Sequence, residues 1–209
     1  MDDYLDPFSK IALTLTASQL AKGLIVKKEG IGEDLSFNFF AWRDNKPLLC
    51  AQMESRFMKE DHQSRFGRCY ELMRVLRFEL GIESLTFVAE GYVAPTPQTK
   101  ELSLAFIEPN SNVTECLTVI HCDGNDTLNK PDIYLFSIPY KYSLGKGVKW
   151  GGLMEFSQNA INTIKRYAYP AMLYAAFDRE VTEDSMHAPL DGQVIGKMAK
   201  VGFLIEEFQ

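Results

Sequence analysis

Four residues carry side chains able to do chemistry if the fold gathers them: Glu54, Glu90, His121 and Asp123. Carboxylates and an imidazole offered from neighbouring strands can hold a divalent cation, and a cation so held polarises a substrate or activates water. Glu54 ends the second strand of an expected hairpin, Glu90 interrupts an apolar strand, and His121 and Asp123 end a third strand. A metal-dependent hydrolase requires two or more of them to converge within about 5 Å in an open cleft. Their spacing does not by itself assemble them. The three histidines His62, His121 and His187 stand far apart, with no pair at HxH or HExxH spacing, so no metal site is assigned. By alternation His121 shares a face with Leu117 and Val119 while Cys122 points the other way, the placement of a core or strand-end histidine.

Other chemistries lack their residues. Gly145-Lys146-Gly147 is followed by Val148-Lys149, whereas a phosphate loop needs Gly-Lys-Ser/Thr; the glycines read as a flexible connection. No Gly-x-Ser-x-Gly elbow occurs, and no cofactor is implied. The four cysteines Cys50, Cys69, Cys116 and Cys122 form no CxxC and read as buried free thiols. Glu90 lies within Leu85-Thr86-Phe87-Val88-Ala89-Glu90-Gly91-Tyr92-Val93, a strand expected to be covered on both faces. A buried carboxylate without a partner costs several kcal/mol or takes up a proton. A partner is therefore expected beside Glu90, a nearby arginine or tyrosine, unless the strand is open to water on that face.

Aromatic residues make up 12% of the chain, and their arrangement points to binding. Tyr134, Phe136, Ile138, Tyr140 and Tyr142 fall on one face of a strand, with Trp150 beyond. Such a stripe is either core beneath a helix or a contact surface for a partner. A net charge of −6 and a pI near 5.2 argue against a broad nucleic-acid-binding face. Arg65, Arg68, Arg74 and Arg77 form the one candidate basic cluster, and they interleave with an apolar helix stripe as a solvated face does. Met1-Asp2-Asp3-Tyr4-Leu5-Asp6 is acidic where a signal peptide is basic, and no apolar run approaches the roughly 18 residues of a membrane span. The expectation is a cytoplasmic protein, in the host cytoplasm if the chain is viral. It binds a protein partner or itself without catalysis; the alternative is the hydrolase that uses the four residues above.

The elements that must position these residues follow from periodicity. Asp6-Pro7 opens a helix, with Phe8, Ile11, Leu15, Leu20 and Leu24 as its apolar side, although part of Leu13–Leu24 is also compatible with strand. Leu35–Trp42 and Leu48–Met53, joined by Arg43-Asp44-Asn45-Lys46-Pro47, form a hairpin. Phe66, Cys69, Met73, Leu76 and Leu80, widened by Leu72 and Val75, give a helix capped by Asp61 or Ser64 and stopped at Gly81. The apolar strand follows, then a turn at Ala94-Pro95-Thr96-Pro97 and a meander of Leu102–Ile107, Glu115–Cys122 and Ile133–Tyr142. Pro139 places the last strand's end at an edge or bulge. Leu144–Gly152 reads as a mobile loop, Met154–Ala168 as a helix kinked or renewed at Pro170, and Ala171–Phe177 as its continuation. The whole is a single α+β domain over residues 1–209, with one mixed or antiparallel sheet (hairpin, helix, strand, three-stranded meander) backed by helices. Residues 1–34 are an N-terminal helical segment, and 180–209 a tail that docks on the core.

Three segments carry a resemblance: Phe39-Phe40-Ala41-Trp42 with Pro47-Leu48-Leu49-Cys50-Ala51-Gln52, Phe87–Ala94, and Val113-Thr114-Glu115-Cys116-Leu117-Thr118-Val119. Over roughly residues 35–142 the chain resembles small proteins of tailed-phage and bacterial genomes that have no assigned activity. The resemblance implies a viral or mobile-element origin and carries over no site residues.

Overall fold

The computed structural model describes residues 5–30, 33–93, 114–124, 131–143, 145–156, 168–177 and 187–208. Eight strands build one antiparallel sheet: β1 (Asn38–Arg43), β2 (Lys46–Met53), β3 (Ser84–Val93), β4 (Thr114–Asp123), β5 (Asp132–Ser143), β6 (Gly147–Trp150), β7 (Met154–Glu155) and β8 (Phe203–Glu207). Their order is β6-β5-β4-β3-β1-β2-β8, with β7 also on β5. The helices are α1 (Pro7–Lys28), α2 (Ser55–Met58), α3 (His62–Arg74) running into a π-helical turn (Val75–Glu79), α4 (Ala168–Phe177) and α5 (Gly192–Lys200). The α+β class with an antiparallel sheet is as expected from the sequence.

Helices cover both faces, which explains why β3 is apolar nearly throughout. On one face α1 sets Ile11 and Leu15 against Phe40, Val88, Leu117, Val119 and Phe136. On the other, α3, its π turn, α4 and α5 contribute Cys69, Leu72, Leu76, Leu173, Phe177 and Met198 to a larger core with Phe39, Leu85, Phe87 and Ile120. Alternation along β3 sends Leu85, Phe87 and Ala89 to the larger core, and Val88 with Glu90 toward α1.

Local chemistry sets the boundaries. Asp44 and Asn45 both adopt positive φ (51° and 58°), the geometry of a tight hairpin turn that twists with its strands. Asp61 caps α3 by accepting the Ser64 N–H at 3.0 Å, and Gly81 stops the helical run at φ 65°. A Cβ at Gly81 would also meet the His187 ring at 2.7 Å. All four cysteines are buried free thiols, and burial pushes Cys50 and Cys69 up to about 12.

Helix α1 departs from expectation. It is helical throughout, capped by Asp6 with Pro7 in its first turn. Yet of its proposed apolar side only Ile11 and Leu15 are buried; Phe8, Leu20 and Leu24 are 54%, 66% and 53% exposed. Lys10, Thr14, Ser18 and Lys22, four residues apart, face the sheet instead. The sheet surface beneath them carries Ser84, Thr86, His121, Asp123 and Glu90, and polar groups that are buried must meet polar partners.

Other corrections are local. Gly147–Trp150, within the supposed mobile loop, pairs with Tyr140–Ser143 as a hairpin strand. Met154–Glu155 is strand on β5 rather than helix, and residues 157–167 lie outside the described residues. So do the expected turn at Ala94–Pro97 and the strand at Leu102–Ile107. Pro139 falls where the outer neighbour of β5 changes from β7 to β6, so its missing N–H costs no ladder bond there. The tail supplies α5 and also β8, which extends the sheet beside β2. Of the four arginines expected to be solvated, only Arg74 is exposed. Arg68 grips Glu60 with two bonds of 2.7 and 2.8 Å over the Phe57 ring.

Candidate ligand-binding cleft

The sheet splits at one end. β1 meets β3 from Trp42 opposite Ser84 to Asn38 opposite Val88 and no further, whereas β4 pairs with β3 as far as Val93. Upstream of Asn38 the chain stays with β2, since the Phe37 carbonyl accepts the Met53 N–H at 2.9 Å. The separation opens a cleft of about 470 Å³ through the plane of the sheet. One wall belongs to the larger core: Phe37, Phe87, Ala89, Met58, His62, Arg65 and Tyr169. The other is formed by Leu35, Glu90 and Tyr140 beneath α1, with Asp34, Gly91 and Glu115 completing the lining.

The aromatic wall is built by mutual edge and face contacts. Tyr169 lies 5.3 Å from Phe37, 5.8 Å from Phe87 and 5.4 Å from His62 between ring centroids, the spacings that aromatic pairs favour. Arg65 holds its guanidinium 5.7 Å from the Phe37 ring centre and donates from Nη1 to the Met58 carbonyl at 3.2 Å. Among the described residues its buried Nε has no partner, and neither has the Tyr169 hydroxyl. Burial pushes the Tyr169 phenol up to about 12, so it stays a neutral donor and acceptor.

Glu90 closes the opposite wall. Its Oε1 accepts the Lys22 ammonium at 2.7 Å and the Tyr140 hydroxyl at 2.8 Å; Lys22 also donates to the Glu33 carbonyl. Desolvation raises the Glu90 carboxyl above its ordinary range, with Lys22, Tyr140 and, least, the Leu35 N–H pulling the other way. The expected tyrosine partner is present, and the lysine was not foreseen. Glu90 Oε2, also buried, has no partner among the described residues. Thus a donor at Arg65, an acceptor at Glu90 and a hydroxyl at Tyr169, each unmet among the described residues, belong to residues lining one cleft. Buried polar groups of folded proteins are as a rule paired, and these three atoms lie around one opening.

The four catalytic candidates do not come together. Glu54 precedes α2 and binds Arg56 at 3.0 Å. Asp123 faces Ser84, six positions along β3 from Glu90 and so about 20 Å away. His121 lies on the same end as Asp123, buried beneath α1. Its Nδ1 is 2.8 Å from Thr86 Oγ1, which accepts from Trp42 Nε1 at 3.3 Å. Thr86 Oγ1 and His121 Nδ1 share one hydrogen, donated by either according to the tautomer of the neutral ring. Burial, aided by the Lys10 charge, drives the His121 pKa down to about 3. This is a core histidine. Among the described residues no three metal-ligating side chains gather.

The aromatic binding candidates also resolve as core. Phe136 and Tyr140 are buried beneath α1, and Tyr134 and Tyr142 pack half-buried beside them. Phe8 stands edge-on to Tyr134 and Phe136 at 5.5 and 6.1 Å, and Trp150 to Tyr140 at 5.3 Å. The contact-surface reading of that stripe is set aside: only the Tyr140 hydroxyl reaches the site, through Glu90. The sequence reading overlooked Lys22, Phe37, Arg65, Phe87 and Tyr169 as site residues. One signal was available, the four-residue spacing of Lys10, Thr14, Ser18 and Lys22, which is a buried stripe written in polar letters.

Fold and site together define an α+β protein whose sheet is covered on both faces and parted at one end by a mixed aromatic and polar cleft. No protein-family model, curated protein or solved structure matches the chain. Among the described residues no helix is long and apolar enough to cross a membrane.

Proposed function

We propose that the protein is a non-enzymatic binding protein that receives part of another protein in this cleft. The observation that carries the reading is the set of three buried polar atoms, on Arg65, Glu90 and Tyr169, left unmet at one aromatic-walled opening. Tyrosine, phenylalanine and arginine are the side chains that anchor protein interfaces, because they bury large areas at little cost in conformational freedom. Separated carboxylates and a histidine locked in the core give catalysis no comparable support. The proposed setting is the cytoplasm, that of the host if the chain has the phage origin its resemblance implies, and the partner is then a host or viral component.

The test uses two replacements that remove hydrogen-bonding atoms but keep most of the volume, Arg65→Gln and Tyr169→Phe. A partner retrieved by the tagged full-length protein is expected to bind each at least about tenfold more weakly, equivalent to about 1.4 kcal/mol. Tyr70→Phe, on the exposed side of α3, is expected to bind as the parent does. Equal affinity across all three would overturn the assignment of the cleft.

A further inference from the structure

The parting of the sheet has the form of a missing strand. β3 runs on for five residues, Ala89–Val93, after β1 leaves it, and β4 pairs that stretch on the other side only. Among the described residues no strand or backbone hydrogen bond completes the β1 side of it. In an antiparallel strand every second residue turns its N–H and C=O to a given neighbour, and five residues span about 17 Å. Interior backbone groups without partners are costly and offer a ready template for another chain.

Resting on the binding reading above, we propose that the cleft takes an extended peptide segment of the partner, added as a β-strand beside Ala89–Val93. Its side chains alternate between an apolar or aromatic residue and one bearing an amine, guanidine or amide. Three features fix this chemistry. Glu90, which lines the cleft, and Tyr92 turn their backbone groups to the β1 side, because residues 89, 91 and 93 turn theirs to β4. Successive side chains of an added strand point to opposite faces. One set enters the wall of Phe37, Phe87 and Tyr169; the other turns toward α1, where the free Glu90 Oε2 accepts a donor. Arg65 Nε and the Tyr169 hydroxyl remain to bind carbonyl oxygens of the incoming chain. The Asp34 and Glu115 carboxylates in the lining favour a segment of net positive charge. Recognition of this kind draws affinity from the main chain and selectivity from alternate side chains.

The experiment titrates full-length, nitrogen-15-labelled protein with three probes. One is a pool of capped hexapeptides alternating Phe or Val with Lys, Arg or Gln; the second is the same pool N-methylated at alternate residues; the third is butylammonium chloride. The expected result is that the first pool shifts the Glu90 and Tyr92 amides, which alternation turns away from β4, and slows their exchange with solvent. The N-methylated pool should bind at least about tenfold more weakly, having lost backbone donors. Strand addition is overturned if no peptide shifts those amides, or if N-methylation changes nothing. In either case, butylammonium or peptide shifts confined to the Arg65 Nε–H signal and the Tyr169 backbone amide leave the cleft standing as a binding site. Silence from all three probes sinks both readings.

Discussion

Replacing Lys22 with methionine is expected to lower the unfolding free energy at pH 7 by about 3 kcal/mol. The Lys22 side chain is 1% exposed and Glu90 11%, and their 2.7 Å bond lies under α1 away from solvent screening. Methionine fills the space of the lysine stem but supplies no cation, so Glu90 is left as a buried charge with only neutral donors, the Tyr140 hydroxyl first among them. Such breakage costs far more than the 0 to about 1 kcal/mol of an exposed pair. The pH dependence has a definite sign. Burial already raises the Glu90 carboxyl, and removing Lys22 raises it further. A carboxyl raised in the folded state contributes its stability fully below its unfolded value, near 4.3, and loses it as pH rises through the folded value. The deficit of Lys22→Met is therefore largest at neutral pH and shrinks toward pH 4. Adding Glu90→Gln should recover most of it at pH 7. Urea unfolding of the two single variants and the double variant measures this; a loss below about 1 kcal/mol at pH 7 would place the pair among exposed ones.

Acidification gives the second large effect, through His121. Its folded pKa is pushed down to about 3 from an ordinary 6.5 by burial and by the Lys10 charge. The unfolded chain thus takes up a proton that the folded one refuses. Stability is held above the unfolded value and lost as pH falls through the window from 6.5 toward 3. At about 1.4 kcal/mol per pH unit, roughly 3 kcal/mol has gone by pH 4. Glu90 opposes this, because its raised carboxyl favours the folded state on acidification. The comparison with His121→Gln isolates the histidine, since every other group titrates in both proteins. Urea unfolding at pH 7, 5.5 and 4 should show the parent losing stability more steeply than the variant. Parallel losses would mean that His121 is not held neutral.

These two side-chain groups show where the sequence was readable. The hairpin, the strand Ser84–Val93, the helix stopped at Gly81 and the alternation of β4 and β5 all followed from period and punctuation, because local sterics and burial act on neighbouring residues. Glu90 stood out because one carboxylate in an apolar strand demands a partner. The face of α1 was misread because hydrophobic periodicity assumes an apolar surface opposite, and the sheet beneath it is polar at Thr86, His121, Asp123 and Glu90. Gly147–Trp150 was misread because its glycines serve the turn, with Gly145 and Gly147 at φ 76° and 73°, rather than a loose loop. The cleft itself was not legible. It arises from where β1 stops against β3, and Arg65 and Tyr169 reach it from α3 and α4, more than a hundred positions apart. Register and long-range packing of that kind leave no pattern within a single segment.

The central claim is that the parted end of the sheet is where a protein partner is held. Its most direct measurement places the photo-reactive amino acid p-benzoylphenylalanine at Phe37, in the aromatic wall, and separately at Tyr70, exposed on α3, in cells that naturally contain the protein. Irradiation is predicted to give one discrete protein adduct from position 37 and none from position 70. Adducts from position 70 with none from position 37, or the same adducts from both, would contradict the account.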